Sequence, residues 1–203
     1  MYHKVDIITP SKWWVSVDRF RGQLDQLSGT HEFVYLDDYQ PGSKQQIVIT
    51  FDDAFENTWY HAVPILREYG VPFEIFVIGD MLGKWNHFDT AEMSARFCQL
   101  HHLQDIAAKG GRIQWHSRSH RALPTLDDEQ LEIELSVNEH LKAQFPAPNF
   151  RWFAYPYGAH DQRCVDAVSR RFRGALSVDK GSGNDIYQLN RVTVDESWMP
   201  PSA

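Results

Sequence analysis

The chain has 203 residues, of which 42% are apolar and 23% are charged, and its formal net charge is −7. This length can bury one sizeable core, so we expect a single domain over residues 1–203. The negative charge, without a dense Lys/Arg block, argues against nucleic acid or an anionic membrane surface as a partner.

Apolar runs of strand length alternate with longer amphipathic stretches along the chain. The N-terminal half predicts a strand at residues 2–8, a helix that starts after Ser16, strands at 33–36 and 47–51, a helix at 57–69 and a strand at 73–78. The C-terminal half predicts a helix at 90–109, a strand at 113–115, a helix at 126–145, a strand at 151–154, a helix at 161–172 and strands at 174–178 and 189–194.

This alternation is typical of a parallel sheet whose strands are joined by right-handed crossovers. The predicted fold class is therefore α/β, in the form of a distorted (β/α) barrel of about seven parallel strands. An open doubly wound sheet is the alternative. In both architectures the functional site lies at the C-terminal ends of the strands. The loops at 79–89 and 181–185 are candidates for the rim of that site, where they would set specificity.

The N-terminus lacks the basic segment, the long apolar stretch and the cleavage site of a signal peptide, and no apolar run is long enough to span a membrane. We therefore expect a cytoplasmic chain as given, or a secreted or periplasmic one if the sequence is a trimmed form. Cys98 and Cys164 are too few for a disulfide framework or a zinc site built on cysteines, so buried thiols are expected. The sequence leaves the oligomeric state open.

Two adjacent carboxylates follow the predicted strand at 47–51, in the run Thr50-Phe51-Asp52-Asp53. The two carboxylates of such a pair at a strand end can have different roles, because one can bind a metal while the other accepts a proton. The Asp-Asp pairs at 37–38 and 127–128 are explained by a turn and by a helix N-terminus, where acidic residues are favourable. Taken alone, the pair at 52–53 fits a structural role as well as a functional one.

Two histidines four residues apart, His116 and His120, follow the predicted strand at 113–115. Neutral imidazole is a common ligand of zinc and similar ions. A carboxylate from another strand end would complete three protein ligands and leave a position for water, which is the catalytic pattern. Because the chain has ten histidines, a chance pair near a turn is the alternative.

A third feature, the aromatic run from Phe153 to Gly158, follows the predicted strand at 151–154. Aromatic rings with proline and glycine at a strand end can form one wall of a cleft and present a backbone N–H. An ordinary aromatic turn explains the run equally well when it is considered alone. Together, the three features are complementary in their chemistry, and each falls at the end of a predicted parallel strand.

The order Thr-Phe-Asp-Asp, then His-Ser-x-x-His, then an aromatic Pro-Tyr-Gly turn resembles the polysaccharide deacetylase family, also called the NodB-homology domain. The resemblance covers nearly the whole chain, from Met1 to about Val194. It implies a distorted β/α barrel that removes N- or O-acetyl groups from sugars, usually with zinc or another divalent metal. Cobalt and nickel are the other metals that we consider.

The resemblance also implies a role for individual residues. Asp52 matches the catalytic base of the family. Asp53, His116 and His120 match the three metal ligands. Tyr157, in the Pro-Tyr-Gly turn, matches the residue whose backbone N–H helps to bind the oxyanion.

The chain departs from the family pattern at two points. Ala154 stands where many members have an arginine that orients the base, and Arg191 is a candidate replacement. The C-terminal Leu-x-His motif that supplies the general acid is missing, since no histidine follows His160. Met1-Tyr2-His3 looks like that motif at the N-terminus, as in the circularly permuted branch that deacetylates poly-N-acetylglucosamine. His3 is therefore the expected general acid, and His160 is the rival.

The predicted function is a metal-dependent hydrolase that removes acetyl groups from N-acetylated sugars, in a polysaccharide or oligosaccharide containing N-acetylglucosamine. Alternatives on the same scaffold are an O-deacetylase, a hydrolase of another C–N bond and a non-catalytic carbohydrate-binding relative. The Asp52-Asp53 pair argues against the last alternative, because binding alone would not need a base beside the metal.

Overall fold

A computed structural model describes residues 1–88, 92–178 and 185–200. The strands of this part of the chain are β1 Lys4–Asp6, β2 Trp14–Ser16, β3 Glu32–Phe33, β4 Gln46–Ile47, β5 Ile49–Phe51, β6 Phe73–Val77, β7 Gly111–Trp115, β8 Trp152–Ala154, β9 Gly174–Ser177 and β10 Leu189–Asn190. The α-helices are α1 Val17–Ser28, α2 Val63–Tyr69, α3 Leu100–Ala108, α4 Asp128–Leu135, α5 Glu139–Gln144 and α6 Gln162–Ser169.

Six of the described strands form one parallel sheet, in the order β10-β9-β8-β7-β6-β5. The pairs β1–β2 and β3–β4 form two small parallel sheets beside it. The α/β class is confirmed. The main sheet has six strands rather than about seven, because the first two predicted strands of the chain belong to the small sheets.

Backbone hydrogen bonds from the first residues of the chain bridge the gap between β5 and β10. Tyr2 N donates to Thr50 O at 2.8 Å, and Asp52 N donates to Tyr2 O at 2.9 Å. On the other side, Val194 N donates to Met1 O at 2.9 Å. The curved sheet is therefore completed as a distorted barrel, as predicted, and His3 lies next to the C-terminal end of β5.

Local sequence accounts for the start of α1 and the end of α2. Ser16 is the N-cap of α1, and its Oγ accepts a hydrogen bond from Arg19 N at 3.2 Å. Gly70 ends α2 in the left-handed conformation, at φ 65°, which glycine adopts without steric cost. Both helix ends were predicted from the sequence.

The core lies between the sheet and the helices that cover it. Gly111 in β7 shows how close this packing is. A Cβ at this position would lie 2.5 Å from Ile106 Cγ2 on α3 and 2.6 Å from Phe73 Cζ on β6. Cys98 and Cys164 are buried free thiols, as expected. Among the described residues, no helix combines the length and the apolar character needed to cross a membrane.

The helix predicted at residues 90–109 is wrong in its first half. Residues 90 and 91 lie outside the described residues, and the helix itself begins only at Leu100. Residues 92–99 form no helix, and Phe97 forms an antiparallel bridge with Phe55. The helical spacing of Met93 and Phe97 therefore did not reflect a helix, because pairing with distant segments determines this part of the backbone.

The helix predicted at residues 126–145 is two helices, α4 and α5. Ser136 ends α4, and Asn138 starts α5 by accepting hydrogen bonds from His140 N at 2.9 Å and Leu141 N at 3.3 Å. Serine and asparagine favour helix ends because their side chains compete for backbone hydrogen bonds. The N-cap of α4 is Asp127, so this helix begins at Asp128, two residues later than predicted.

Candidate active site

A cavity of about 380 Å³ opens at the C-terminal ends of the main strands. Its described lining includes aromatic side chains and a group of titratable ones, namely His3, Lys4, Trp13, Asp52, Asp53, Phe55, Phe88, His116, His120, Tyr155 and Tyr157. A second cavity of about 390 Å³ lies between β5 and β10, but the described residues that line it include no carboxylate and no histidine. The first cavity is therefore the candidate active site.

The backbone after β5 turns sharply and places two carboxylates at the bottom of this cavity. Asp53 and the following Ala54 have φ values of 69° and 57°, which few non-glycine residues adopt. Asp52 is 3% exposed and Asp53 is 7% exposed. Strained backbone of this kind persists only where the surroundings hold it, and it is frequent at functional sites.

The loop after β7 brings two imidazole rings to the same point. Ser117 and His120 both have positive φ values, 66° and 63°, and Ser117 Oγ accepts a hydrogen bond from His120 N at 2.9 Å. His116 Nε2 lies 3.5 Å from Asp53 Oδ1, and His120 Nε2 lies 3.6 Å from the same oxygen.

The donor set of Asp53, His116 and His120 fits a divalent metal. One ligand atom from each residue lies within 4.8 Å of the other two, and all three side chains are buried. His116 Nδ1 lies 2.7 Å from Ala154 O, so the ring donates there and leaves Nε2 free as a ligand. Asp53 Oδ1 and His120 Nδ1 are buried without a hydrogen-bond partner, and burial raises the pKa of Asp53 to about 6. A bound cation would relieve the cost of this buried carboxylate.

Asp52 is held by an arginine from the far end of the described chain. Arg191 Nη1 and Nη2 donate to Asp52 Oδ1 and Oδ2, each at 2.7 Å. Burial by itself would raise the pKa of Asp52, but the neighbouring Arg191 outweighs it and holds that pKa well below its usual range. Asp52 Oδ2 lies 4.0 Å from His116 Nε2, so an ionised carboxylate stands beside the three possible ligands.

His3 and His160 occupy different environments. His3 lines the cavity, its Nδ1 is buried without a hydrogen-bond partner, and burial lowers its pKa to about 3. Both ring nitrogens of His160 have partners, since Nδ1 lies 2.8 Å from Gly158 O and Nε2 lies 3.2 Å from Gln188 Oε1. Its ring also stacks on Tyr155. Of the two, His3 is the one brought into the group around Asp52.

Tyr157 also lines the cavity. The residue has a φ of 60°, and its side chain is 61% exposed. Its ring centroid is 4.6 Å from that of His120, whose other side stacks on Phe88 at 4.7 Å. The third motif of the sequence thus adjoins the second in space.

Sequence reasoning missed several residues that shape the cavity. Lys4 lies over the ring of Phe55, 4.2 Å from its centroid, and pairs with Glu92 at 3.2 Å, with both charged groups nearly buried. Glu92 also accepts a hydrogen bond from Trp14 Nε1 at 3.0 Å. The sequence did offer one signal that Lys4 lies near the cavity, because Lys4 directly follows His3, the expected general acid. Its partner lies 88 residues away, so local sequence could not identify it.

The two predicted rim loops are described only in part. The loop at 79–89 contributes Asn86 and Phe88 to the lining of the cavity, whereas residue 89 lies outside the described residues. In the loop at 181–185, residues 181–184 lie outside them as well.

The family model for polysaccharide deacetylases matches residues 39–171. The chain belongs to the polysaccharide deacetylase family. The matched segment contains both the Asp52-Asp53 pair and the two histidines, so the family predicted from these motifs is confirmed. The prediction that the chain is a deacetylase-type hydrolase agrees with this family.

Similar proteins agree with this family assignment. A Bacillus subtilis (strain 168) protein named as a polysaccharide deacetylase, YxkH, is 24% identical over 156 residues, which cover 75% of this chain and 52% of that protein. The chain thus spans about half the length of this curated relative.

Two solved structures share the fold. The Streptococcus pyogenes deacetylase PplD, in complex with acetate, superposes with a TM-score of 0.81 at 20% identity, over 98% of this chain and 92% of PplD. A de-N-acetylase from Aggregatibacter actinomycetemcomitans gives a TM-score of 0.76 at 15% identity, over 97% of this chain and 94% of that one. At 20% and 15% identity, the superpositions show the fold alone, and that fold is the distorted barrel.

Proposed function

We propose that this protein is a metal-dependent deacetylase that removes acetyl groups from N-acetylated sugars in a polysaccharide or oligosaccharide containing N-acetylglucosamine. The observation that carries the proposal is the position of Asp52. An ionised, buried carboxylate stands 4.0 Å from His116 Nε2, next to a donor set that fits a metal. Binding alone would not need a proton acceptor at that point.

Asp53, His116 and His120 would hold the metal, for which zinc is the first candidate and cobalt and nickel are alternatives. When bound, such an ion polarises a carbonyl group and lowers the pKa of water. The donor set of one carboxylate and two imidazoles is typical of catalytic rather than structural zinc sites, because it leaves a position open.

The protein residues divide the remaining steps of amide hydrolysis among them. Asp52 accepts a proton from the water that attacks the acetyl carbonyl carbon, and Arg191 orients its carboxylate. The backbone N–H of Tyr157 donates to the carbonyl oxygen as negative charge develops there. His3 takes up a proton as negative charge develops on the substrate and donates it to the departing amine nitrogen while the C–N bond breaks, and acetate leaves.

The walls of the cavity support a sugar as the substrate. Of the aromatic side chains that line it, Trp13, Phe88 and Tyr157 are at least partly exposed, and aromatic faces are suited to the apolar faces of sugar rings. One structural neighbour is named as a de-N-acetylase, and this likeness supports an amide rather than an ester as the bond that is cleaved.

The test is acetate release from N-acetylglucosamine oligomers by metal-stripped protein, with and without added zinc, cobalt or nickel. We expect release that depends on metal and that falls by about 10²–10⁴-fold in Asp52→Asn, the range typical of a lost general base. Asp128→Asn is the matched control, because Asp128 belongs to another Asp-Asp pair and is exposed at the start of α4. Stoichiometric metal without any acetate release would exclude this substrate and point to another acylated compound or to binding alone.

A further inference from the structure

We propose that Glu134, on α4, is a positioning residue that holds the loop carrying His116 and His120 in its metal-binding conformation. This inference rests on the proposed function, since it assigns a residue that supports the same metal site. Glu134 touches neither histidine and acts through the loop between them.

Glu134 contacts this loop through both its side chain and its backbone. Its Oε2 accepts a hydrogen bond from Ser119 N at 2.8 Å, and its Oε1 accepts one from the Ser119 hydroxyl. Its backbone oxygen accepts from Arg118 N at 3.0 Å and from Trp115 Nε1 at 3.0 Å. One residue of α4 therefore contacts the last residue of β7, Trp115, and two residues of the loop, Arg118 and Ser119.

The loop needs such support because its conformation is unfavourable by itself. Ser117 and His120 both have positive φ values, and each such non-glycine residue costs on the order of 1 kcal/mol. The hydrogen bond from His120 N to Ser117 Oγ is internal to the loop and cannot anchor it to the barrel. Gly79 N and Asp80 N, which follow β6, donate to Ser117 O at 3.1 Å and to Arg118 O at 2.8 Å, and Glu134 adds an anchor on a regular helix.

The carboxylate of Glu134 depends on the loop in return. The side chain is buried, with an exposed fraction of 3%, and no lysine, arginine or histidine of the described residues forms an ion pair with it. Its oxygens are satisfied by Ser119 N–H and O–H instead. Any other loop conformation would leave a buried carboxylate without donors, which is costly. The contact therefore selects one loop conformation, in which both imidazole rings face Asp53.

The experiment measures zinc affinity by competition with a chromophoric chelator for the parent chain and three variants. Glu134→Gln keeps the shape of the side chain but can accept only one of the two hydrogen bonds. Ser119→Ala removes the hydroxyl from the other side of the contact and avoids any change in the buried helix face. Glu132→Gln is the matched control, because Glu132 lies on the same helix, is only partly buried and pairs with Arg171 rather than with the loop.

We expect Glu134→Gln to bind zinc about 10-fold more weakly than the parent chain, in the range found for residues that orient metal ligands, and Ser119→Ala to shift in the same direction. Glu132→Gln should match the parent. Saturating zinc should restore kcat in both loop variants, which a merely structural role would not produce. Unchanged zinc affinity in folded Glu134→Gln and Ser119→Ala would overturn the assignment. Zinc affinity is measured without a sugar, so its outcome does not depend on whether the protein releases acetate.

Discussion

Arg191 and Asp52 lie 139 residues apart in the chain, yet both guanidinium Nη atoms of Arg191 donate to the two oxygens of Asp52 at 2.7 Å. Both side chains are about 95% buried. A planar fork that matches a carboxylate fixes its orientation as well as its charge. Asp52 is therefore held as an ionised, oriented carboxylate beside His116, which is the state that a general base requires.

Replacing Arg191 by lysine should lower kcat by about 10-fold or more, because a single ammonium group cannot engage both carboxylate oxygens at once. The zinc content should remain at the parent level, since Arg191 contacts none of the three possible ligands. Initial rates at saturating zinc and elemental analysis check the two halves of this prediction. Arg173→Lys, in an ion pair with Asp37, is the control and should retain the parent rate. An unchanged rate in Arg191→Lys would show that the fork does not orient the base.

Removing one imidazole from the donor set should abolish tight metal binding. His120→Ala leaves Asp53 and His116 as two ligands, which are too few for a stable zinc site. We expect metal content below one tenth of the parent value after dialysis against a chelator, measured by elemental analysis. His140→Ala, at an exposed position of α5, should retain full metal. Retention of stoichiometric zinc by His120→Ala would exclude this histidine as a ligand.

The choice between His3 and His160 as general acid can be decided by the leaving group. His3→Gln should lower kcat for an N-acetyl sugar by about 10²-fold or more, because the amine leaves only when it is protonated. The same variant should retain most activity on an aryl acetate, whose phenolate leaves without a proton.

His160→Gln should retain activity on both substrates, since both ring nitrogens of His160 already have hydrogen-bond partners and His160 is not among the described residues that line the cavity. Equal losses on the two substrates in His3→Gln would indicate a binding role for His3. A selective loss in His160→Gln would transfer the acid role to that residue.

Because Glu74 in β6 is buried, the free energy of unfolding of the protein should depend on pH. The side chain is fully buried, and its oxygens accept hydrogen bonds from Leu36 N at 3.0 Å and Gln114 Nε2 at 2.7 Å. Burial raises the pKa of Glu74 from 4.5 to about 7. The folded state therefore binds this proton more tightly than the unfolded state, and the resulting stabilisation is present below pH 4.5 and is lost as the pH rises through about 7.

Glu74→Gln should remove this pH dependence. Relative to that variant, the free energy of unfolding of the parent should fall between pH 4.5 and pH 7 by up to about 3 kcal/mol, since one pKa unit corresponds to about 1.4 kcal/mol. Urea unfolding of metal-stripped protein at several pH values measures the difference. Glu32→Gln, at an exposed position, should follow the parent curve. Parallel curves for the parent and Glu74→Gln would show that Glu74 titrates normally.

The sequence predicted features that depend on local chemistry. Ser16 as a helix cap and Gly70 as a helix end were correct because each acts on backbone groups within a few residues. The three motifs at strand ends were identifiable because a parallel barrel places all its strand ends together. The break between α4 and α5 at Ser136–Asn138 was missed, although both residue types favour helix ends, because the apolar spacing continues across it.

By itself, the sequence determined the α/β class and the family, and it supplied the candidate site residues, because strand periodicity and short motifs depend on neighbouring positions. Only the tertiary structure decided that Arg191 supports Asp52, that Glu92 pairs with Lys4 and that Phe97 lies in an extended segment rather than a helix. The physical reason is the same in each case. A buried charge or an extended backbone needs a partner, and the chain can supply that partner from any distance once folding has brought the segments together.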